Sequence, residues 1–204
     1  MPERRRQQSD RTAATRKAVL EATVELLVER GYSGTSTRLA AERAGVSLGA
    51  LQHHFHTKAE LSVEALRYAS ARLADEFVAA TPGTGDVLER FGSALDQLFV
   101  IFRGPTFAAA VEIHLASRTD TGLQEAVQGL NRDVESLVAE SVGGLLPELS
   151  GNPEFPALLQ TLVSAVRGLA LTAMTPGRDR EGQWQQVRGQ LLFLAERMEL
   201  PEPA

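Results

Sequence analysis

Apolar residues recur at spacings of three and four along nearly the whole chain, and no segment shows sustained alternation of apolar and polar residues. One face of an α-helix repeats every 3.6 residues, so this pattern predicts an all-α protein. About nine helices are expected, over residues 11–30, 37–44, 48–54, 57–80, 86–103, 105–118, 121–146, 155–175 and 180–199. No internal repeat or low-complexity tract is visible in the sequence.

Glycines and capping residues set the expected ends of these helices. Gly31 is expected to end the first helix, because glycine tolerates left-handed backbone dihedrals. Thr57 begins the fourth helix as a cap, with Glu60 answering as the last residue of a capping box. The adjacent Gly143 and Gly144 together cost about 2 kcal/mol relative to alanine. They are therefore expected to bend or end the seventh helix.

Composition narrows the class of protein. The 204-residue chain is 43% hydrophobic but only 5% aromatic, so its core is expected to consist mainly of Leu, Val and Ala. The absence of cysteine excludes disulfides, thiolate metal ligands and a thiol nucleophile. The charged N-terminus has no apolar stretch behind it, and no uninterrupted apolar run approaches about 18 residues. We therefore expect no secretory signal, no membrane span and a cytoplasmic protein.

The net charge of −5 averages two unlike parts. Residues 1–58 carry ten basic and six acidic side chains, about +4, whereas residues 59–204 carry eleven against twenty, about −9. Such a basic segment can meet phosphate groups while the acidic body is repelled by them, although an accidental asymmetry is the alternative. Residues 1–10 are predicted to be a disordered basic arm. Its Arg4, Arg5 and Arg6 either enter the minor groove of DNA or add only non-specific attraction.

The strongest local signal is GYSGTSTRLAAERAGVSLGALQHHFHTKAEL, residues 31–61. Hydroxyl groups at residues 35–37 can cap a short helix, Gly45 permits a tight turn, and Val46 plugs the angle before Ser47 caps a second helix. On the first helix, Leu39, Ala40 and Ala44 are small enough to let a neighbouring helix approach closely. On the second, Ala50, Leu51 and Phe55 are expected to face inward, which leaves Leu48, Gly49, Gln52, His53 and His54 to face outward. Two short helices joined by a glycine-containing turn predict a helix-turn-helix, which lays one helix in the major groove of DNA.

These residues closely resemble the TetR (tetracycline repressor) family of bacterial regulators. The phrases ELLVERGY, AERAGVS, LGALQHHF and TKAEL stand in the family's order and spacing over the first third of the chain. The phrase VEIHLASRTD at residues 111–120 is also family-like. The resemblance implies a three-helix helix-turn-helix head over residues 11–56 and a ligand-binding and dimerisation domain over residues 57–204. It also implies a palindromic operator in double-stranded DNA, and no cofactor or catalytic residue.

By resemblance, DNA contacts fall on Ser36, Thr37, Arg38, Ser47, Leu48, Gly49, Gln52, His53, His54 and Lys58. Two of these positions depart from the common pattern. Gln52 stands where many members have Tyr, and it can bond to adenine N6 and N7, a contact that discriminates by about 1–3 kcal/mol. Leu48 stands where a polar or basic residue is frequent, and its base contact would be apolar, as with a thymine methyl. An exposed residue without a role is the alternative for Leu48.

His53, His54 and His56 also form an HHxH cluster, which raises the question of a metal site. Neighbouring residues on a helix point about 100° apart, and no cysteine or fourth ligand is nearby in the sequence. Contact with bases or phosphates is the preferred interpretation, a solvated helix end is the alternative, and no metal is expected.

Long apolar stripes mark the last two helices, where TetR-like proteins pair two helices of each subunit into a four-helix interface. The residues assigned to a homodimer interface on this basis are Leu158, Leu162, Val166, Leu169, Trp184, Val187, Leu191, Leu194 and Met198. Ordinary subunit core is the alternative. A twofold dimer would read two half-sites about one helical turn, ~34 Å, apart or a multiple of it.

Family members also hold a small-molecule effector among the middle helices. The candidate lining is Phe91, Leu95, Leu98, Phe102, Phe107, Val111, His114, Arg118 and Met174, a mostly apolar wall with a few polar groups. Plain core is the alternative for the Phe and Leu residues. An ion pair or cap is the alternative for Arg118, and a surface position for His114.

The resulting hypothesis is a transcriptional regulator, in its commoner form a repressor that an apolar ligand releases from its operator. A helical carrier or enzyme is the first alternative, but no nucleophile–base pair or Gly-rich phosphate loop supports it. A sequence-independent DNA-compacting protein is the second, and the acidic body argues against it. An activator role also stays open.

Overall fold

The structure, a computed structural model, describes residues 2–174 and 180–198, and side chains within this part from Thr12 onward except those of Ala173 and Arg180. These residues contain ten α-helices and no strand, which confirms the all-α class. The helices are α1 (Pro2–Gly34), α2 (Thr37–Ala44), α3 (Leu48–His54), α4 (Lys58–Ala80), α5 (Val87–Phe102), α6 (Pro105–Ser117), α7 (Thr121–Leu145), α8 (Pro147–Ser150), α9 (Phe155–Ala173) and α10 (Arg180–Glu196).

Most of the expected helix ends are confirmed. Gly31 breaks α1 with φ +67°, and only a short helical segment follows it. Thr57 Oγ1 accepts the Glu60 N–H at 3.0 Å, while the Glu60 carboxylate accepts the His56 N–H at 2.8 Å, one residue earlier than in a standard capping box. Helix α7 ends at Leu145, directly after the two glycines. The helix missed from the sequence is the four-residue α8, too short to show apolar periodicity.

The expected disorder of residues 1–10 differs from the structure, in which α1 already begins at Pro2. Proline suits the first turn of a helix, since its missing N–H would lack a partner there anyway. The following Glu, Arg and Gln residues are strong helix formers, and nothing in this stretch breaks the helix. A stretch with few apolar residues is therefore compatible with a helix as well as with disorder.

The contacts divide the chain into two compact units, Met1–Ala71 with Pro105–Val134 and Arg72–Gly104 with Glu135–Ala204. The first unit therefore joins the head to the beginning of α4, to α6 and to the beginning of α7. Its core includes Leu20, Leu26, Leu51, Phe55, Leu61, Leu66, Ile113 and Leu123, all at most 1% exposed. The division between the two units falls within α4 and α7.

The second unit is held by aliphatic packing and one polar cluster between α5 and α10. Trp184 stacks on Phe99 with ring centroids 4.3 Å apart, and its indole N–H donates to Asp96 Oδ1 at 3.0 Å. Arg188 Nε donates to the same carboxylate at 3.0 and 3.1 Å. Arg90 on α5 donates to the Leu145 carbonyl at 2.8 Å, which satisfies a free carbonyl at the C-terminus of α7.

The apolar stripes of α9 and α10 face the core of their own subunit, which favours ordinary subunit core over a dimer interface for most of these residues. Those buried to at least nine-tenths are Leu158, Leu162, Val166, Trp184, Leu191 and Met198; Leu169 and Val187 are half-buried. A side chain already buried in its subunit has no surface left for a partner to cover. Leu194, 46% exposed, is the one assigned residue that the structure leaves on the surface.

Over Phe155–Thr172, helix α9 is long and apolar enough to cross a membrane, with mean hydropathy 1.3. The sequence was expected to contain no such stretch, because polar residues interrupt its apolar run. Within this stretch, Leu158, Leu162 and Val166 are buried in the core of the second unit. A helix in the core of a globular unit passes the same test.

Candidate nucleic-acid interface

The turn between α2 and α3 is built by two caps and one left-handed glycine. Ser36 caps α2, its Oγ accepting the Leu39 N–H at 3.2 Å. At the other end Gly45 has φ +68° and ψ 27°, the left-handed conformation that glycine adopts without steric cost. The Val46 N–H then returns to the Ala41 carbonyl at 3.0 Å. These contacts set a tight turn between two short helices.

Helix α3 is anchored from one side and open on the other. Leu51 is fully buried and Phe55, just after the helix, is 1% exposed, while Ser47 Oγ caps the first turn by accepting the Ala50 N–H at 3.2 Å. The outer face carries Leu48, Gly49, Gln52 and His53, all exposed, with His54 half-buried. The predicted inward and outward faces of this helix are confirmed at these positions.

At the N-terminal end of α3, Leu48 makes the outer face apolar, and Gly49 adds no side chain to it. Leu48 is 39% exposed, and a Cβ built on Gly49 would meet nothing within 4 Å. An exposed leucine next to a glycine lets another surface approach the helix closely. The polar group one turn further along is Gln52, since residues four apart share a helix face.

The start of α2 offers polar groups at the edge of the same surface. Thr37 is half-buried, and Arg38 is exposed and paired with Glu42 at 3.0 Å across one turn. An exposed pair of this kind contributes at most about 1 kcal/mol, so a phosphate can compete for the guanidinium. Ser36 is engaged as a cap through its Oγ.

Lys58 is held by an aromatic ring. Its Nζ lies 4.1 Å from the centroid of the Tyr32 ring, and burial lowers the pKa of this half-buried amine. Burial also raises the pKa of the Tyr32 hydroxyl, with Asp120 adding to the effect. A phosphate contact by Lys58 would have to draw the ammonium away from this cation–π contact.

The histidine cluster, His53, His54 and His56, lies at the C-terminal end of α3 and just beyond it. The rings of His53 and His54 lie edge to face with centroids 5.5 Å apart, and His53 and His56 are exposed. Within residues 2–174 and 180–198, no three His, Cys, Asp or Glu side chains are placed to hold a metal ion.

The predicted effector lining is distributed over both units. Phe91, Leu95, Leu98 and Phe102 are buried in the second unit and Met174 is 47% exposed there; Phe107 and Val111 are half-buried and His114 and Arg118 exposed in the first. His114 is already engaged, with Nδ1 2.7 Å from the Ala110 carbonyl and Nε2 2.8 Å from Asn131 Oδ1. Its contacts lie within its own unit.

Sequence reasoning missed an open groove of about 930 Å³ in the first unit. It is lined by Tyr32, Thr57, Lys58, Ala59, Glu60, Val63, Glu64, Arg67, Asp120, Gly122, Glu125, Ala126 and Gly129. None of the predicted effector residues lines it. Its walls come from the end of α1 and the beginnings of α4 and α7, which are remote in sequence, so no local motif could have indicated it.

The family model described as bacterial regulatory proteins, tetR family, matches residues 19–65, which span the α2–turn–α3 arrangement and its anchoring helices. Residues 19–65 therefore form a DNA-binding domain of the TetR family. The chain is a DNA-binding transcriptional regulator and not an enzyme.

Full-length comparisons agree with this assignment. The HTH-type transcriptional regulator CymR of Pseudomonas putida is 28% identical over 202 residues, covering 96% of each chain. A TetR-family transcriptional regulator from Rhodococcus sp. has the same fold, with TM-score 0.69, 21% identity and 91% and 98% of the two chains covered. Multidrug binding protein EbrR, solved in complex with imidazole, has TM-score 0.62 at 22% identity, covering 93% and 96%.

Proposed function

We propose that this TetR-family protein is a dimeric repressor that a small, mostly apolar ligand releases from a palindromic operator in double-stranded DNA. Residues 11–56 form the DNA-binding head, and residues 57–204 bind the ligand and the second subunit. The protein works in the cytoplasm without spanning a membrane. Repression is the commoner role in the family that the sequence resembles.

The observation that carries the DNA-binding part is the outer face of α3. A seven-residue helix has little stability of its own, yet this one is capped by Ser47 and seated on Leu51 and Phe55. Its opposite face presents Leu48, Gly49, Gln52 and His53 to solvent. This arrangement supports insertion into the major groove, with Gln52 paired to an adenine and Leu48 against a thymine methyl.

Dimerisation is supported by apolar surface on α9 and α10 outside the buried stripes. Leu171, Phe193 and Leu194 are each more than 40% exposed. Gly168 and Gly189 also lie on exposed faces of these helices, with nothing within 4 Å of a built Cβ. Exposed apolar residues with adjacent glycines permit close helix packing between two copies. We assign the interface to this outer face in place of the buried stripes.

We assign the ligand to a chemical class, that of small and mostly apolar molecules, and to no particular compound. The predicted lining is mostly apolar, and EbrR, which has the same fold, is named a multidrug binding protein. Ligand binding that favours a dimer with wrongly spaced heads would weaken operator binding, and a coupling free energy of about 1–3 kcal/mol corresponds to a 5- to 150-fold loss of affinity.

Selection from a random DNA pool tests the function. The wild-type protein is expected to enrich a twofold-symmetric site whose affinity falls steeply with salt, because phosphate contacts release counterions. The Gln52→Ala variant is expected to lose about 1–3 kcal/mol of discrimination at one base pair in each half-site. Gel-shift titrations against single-base variants of the selected site measure both effects.

The matched control is Gln128→Ala, which removes an exposed glutamine from α7. It should leave the base preferences unchanged. Enrichment of no sequence by the wild-type protein would contradict the proposed function, and unchanged preferences in Gln52→Ala would contradict the role given to Gln52.

The dimer interface is tested by Phe193→Asp. Phe193 is 43% exposed, so the substitution should leave the subunit folded while placing a charge in the proposed interface. Sedimentation velocity at micromolar concentration is expected to show monomers. Val100→Asp is the control, since Val100 on α5 is 61% exposed and outside the α9–α10 face. A stable Phe193→Asp dimer would place the interface elsewhere.

A further inference from the structure

A carboxylate from α6 meets the break in α1. At Gly31 the backbone leaves the helix with φ +67° and ψ 179°. The next N–H, that of Tyr32, donates to Glu112 Oε2 at 3.0 Å, across 80 residues of sequence. A hydrogen bond to an ionised acceptor is stronger than one between neutral groups. Glu112 therefore binds α6 to the chain where α1 ends.

The fit at this point leaves no room for another side chain. A Cβ built on Gly31 would lie 2.0 Å from Glu112 Oε2 and 2.9 Å from its Cδ. The Glu112 carboxylate occupies the space that a side chain at residue 31 would fill. Glycine is thus needed here for its positive φ and also for the approach of Glu112.

The same break leads directly into the helix-turn-helix. Thr35 is 2% exposed, and its Oγ1 donates to the Gly31 carbonyl at 2.8 Å while its N–H donates to the Tyr32 carbonyl at 3.2 Å. The following residue, Ser36, caps α2. The Tyr32 ring contacts the Lys58 ammonium at the start of α4. Tyr32 therefore lies between groups from α6 and α4, and three residues separate it from the α2 cap.

We propose that Glu112 is a positioning residue for operator binding. It accepts the Tyr32 N–H and fixes the Gly31–Tyr32 turn, and through Thr35 and the Ser36 cap it holds α2 and α3 at a set orientation to α6. This inference rests on the proposed DNA-binding function. Glu112 gives α6 a direct contact with the head. This contact is separate from the covalent connection between α3 and α4.

Amide hydrogen exchange tests the contact without DNA. In the full-length protein, Glu112→Ala is expected to raise the exchange rate of the Tyr32 amide about 10-fold or more, because its acceptor is lost. Glu112→Gln keeps a side-chain oxygen that can accept the bond, and should stay close to the wild-type rate. Glu140→Ala, at an exposed glutamate of α7 outside this junction, is the control. Unchanged exchange at Tyr32 in Glu112→Ala would overturn the contact.

Operator affinity tests the positioning role. Glu112→Ala is expected to bind the selected site about 10-fold more weakly, whereas Glu112→Gln stays within about threefold of wild type. Melting temperatures should stay within a few degrees of wild type, since Glu112 is exposed. Wild-type affinity in Glu112→Ala, or equal losses in both variants, would overturn the proposal. Failure of the wild-type protein to select any DNA overturns the function alone, because the exchange result stands without DNA.

Discussion

Replacement of Leu51 by alanine is expected to lower the free energy of unfolding by about 2–5 kcal/mol. Leu51 is fully buried in the core of the first unit, on the inner face of α3. The substitution removes buried apolar area and leaves a cavity that surrounding side chains fill only in part. A domain of this size is stable by about 5–15 kcal/mol, so the loss is a large fraction of the total.

The substitution should also abolish operator binding, for a reason separate from base contacts. Helix α3 has seven residues, too few to be helical in isolation. Its position in the head depends on Leu51 and on Phe55, which is 1% exposed. Without the packing of Leu51, the outer face of α3 keeps its side chains, but the helix is no longer held in the orientation that directs them towards DNA.

Two leucine variants serve as controls that separate the loss of core packing from the loss of DNA recognition. Leu115→Ala removes the same atoms from a side chain of α6 that is 60% exposed, and should change stability by less than about 0.5 kcal/mol. Leu48→Ala, on the outer face of α3, should keep stability and weaken operator binding. Urea denaturation followed by circular dichroism gives the first quantity and gel-shift titration the second. Equal stabilities of Leu51→Ala and Leu115→Ala would refute the packing argument.

The sequence predicted local structure best where one residue type has one physical role. Gly31 and Gly45 adopt positive φ, and Ser47 and Thr57 cap helices, as expected from their chemistry. The bounds predicted for α2 and α3 are those observed. Such signals are local, because a cap or a turn is determined within about four residues.

Periodicity predicted which residues are buried but not what buries them. The stripes of α9 and α10 were assigned to a second subunit, yet Leu162 and Val166 lie in the core of their own unit. An apolar stripe has the same sequence pattern in both cases. The Glu112–Tyr32 contact and the groove were missed for a related reason, since they join segments whose proximity only the fold determines.

Trp184→Ala is expected to lower the free energy of unfolding by about 3–5 kcal/mol, which tests whether this residue belongs to the core of its own subunit. Trp184 is 2% exposed, stacks on Phe99 and donates its indole N–H to Asp96. Trp184→Phe keeps a ring on Phe99 but loses the hydrogen bond, so it should cost clearly less. Phe193→Ala, at an exposed aromatic of α10, is the control and should not destabilise the subunit. Urea denaturation followed by circular dichroism measures all three.

Fluorescence then distinguishes core from interface, because Trp184 is the only tryptophan in the chain. If Trp184 lies in the subunit core, its emission should stay the same when the protein is diluted or when Phe193→Asp separates the subunits. It should shift to longer wavelength only when the subunit unfolds. An interface tryptophan would instead become exposed on dissociation and shift while the helices remain intact. The decisive result against the core position is an emission shift that increases with the fraction of monomer while helicity stays constant. That result would place Trp184 in the dimer interface and contradict its burial within the subunit.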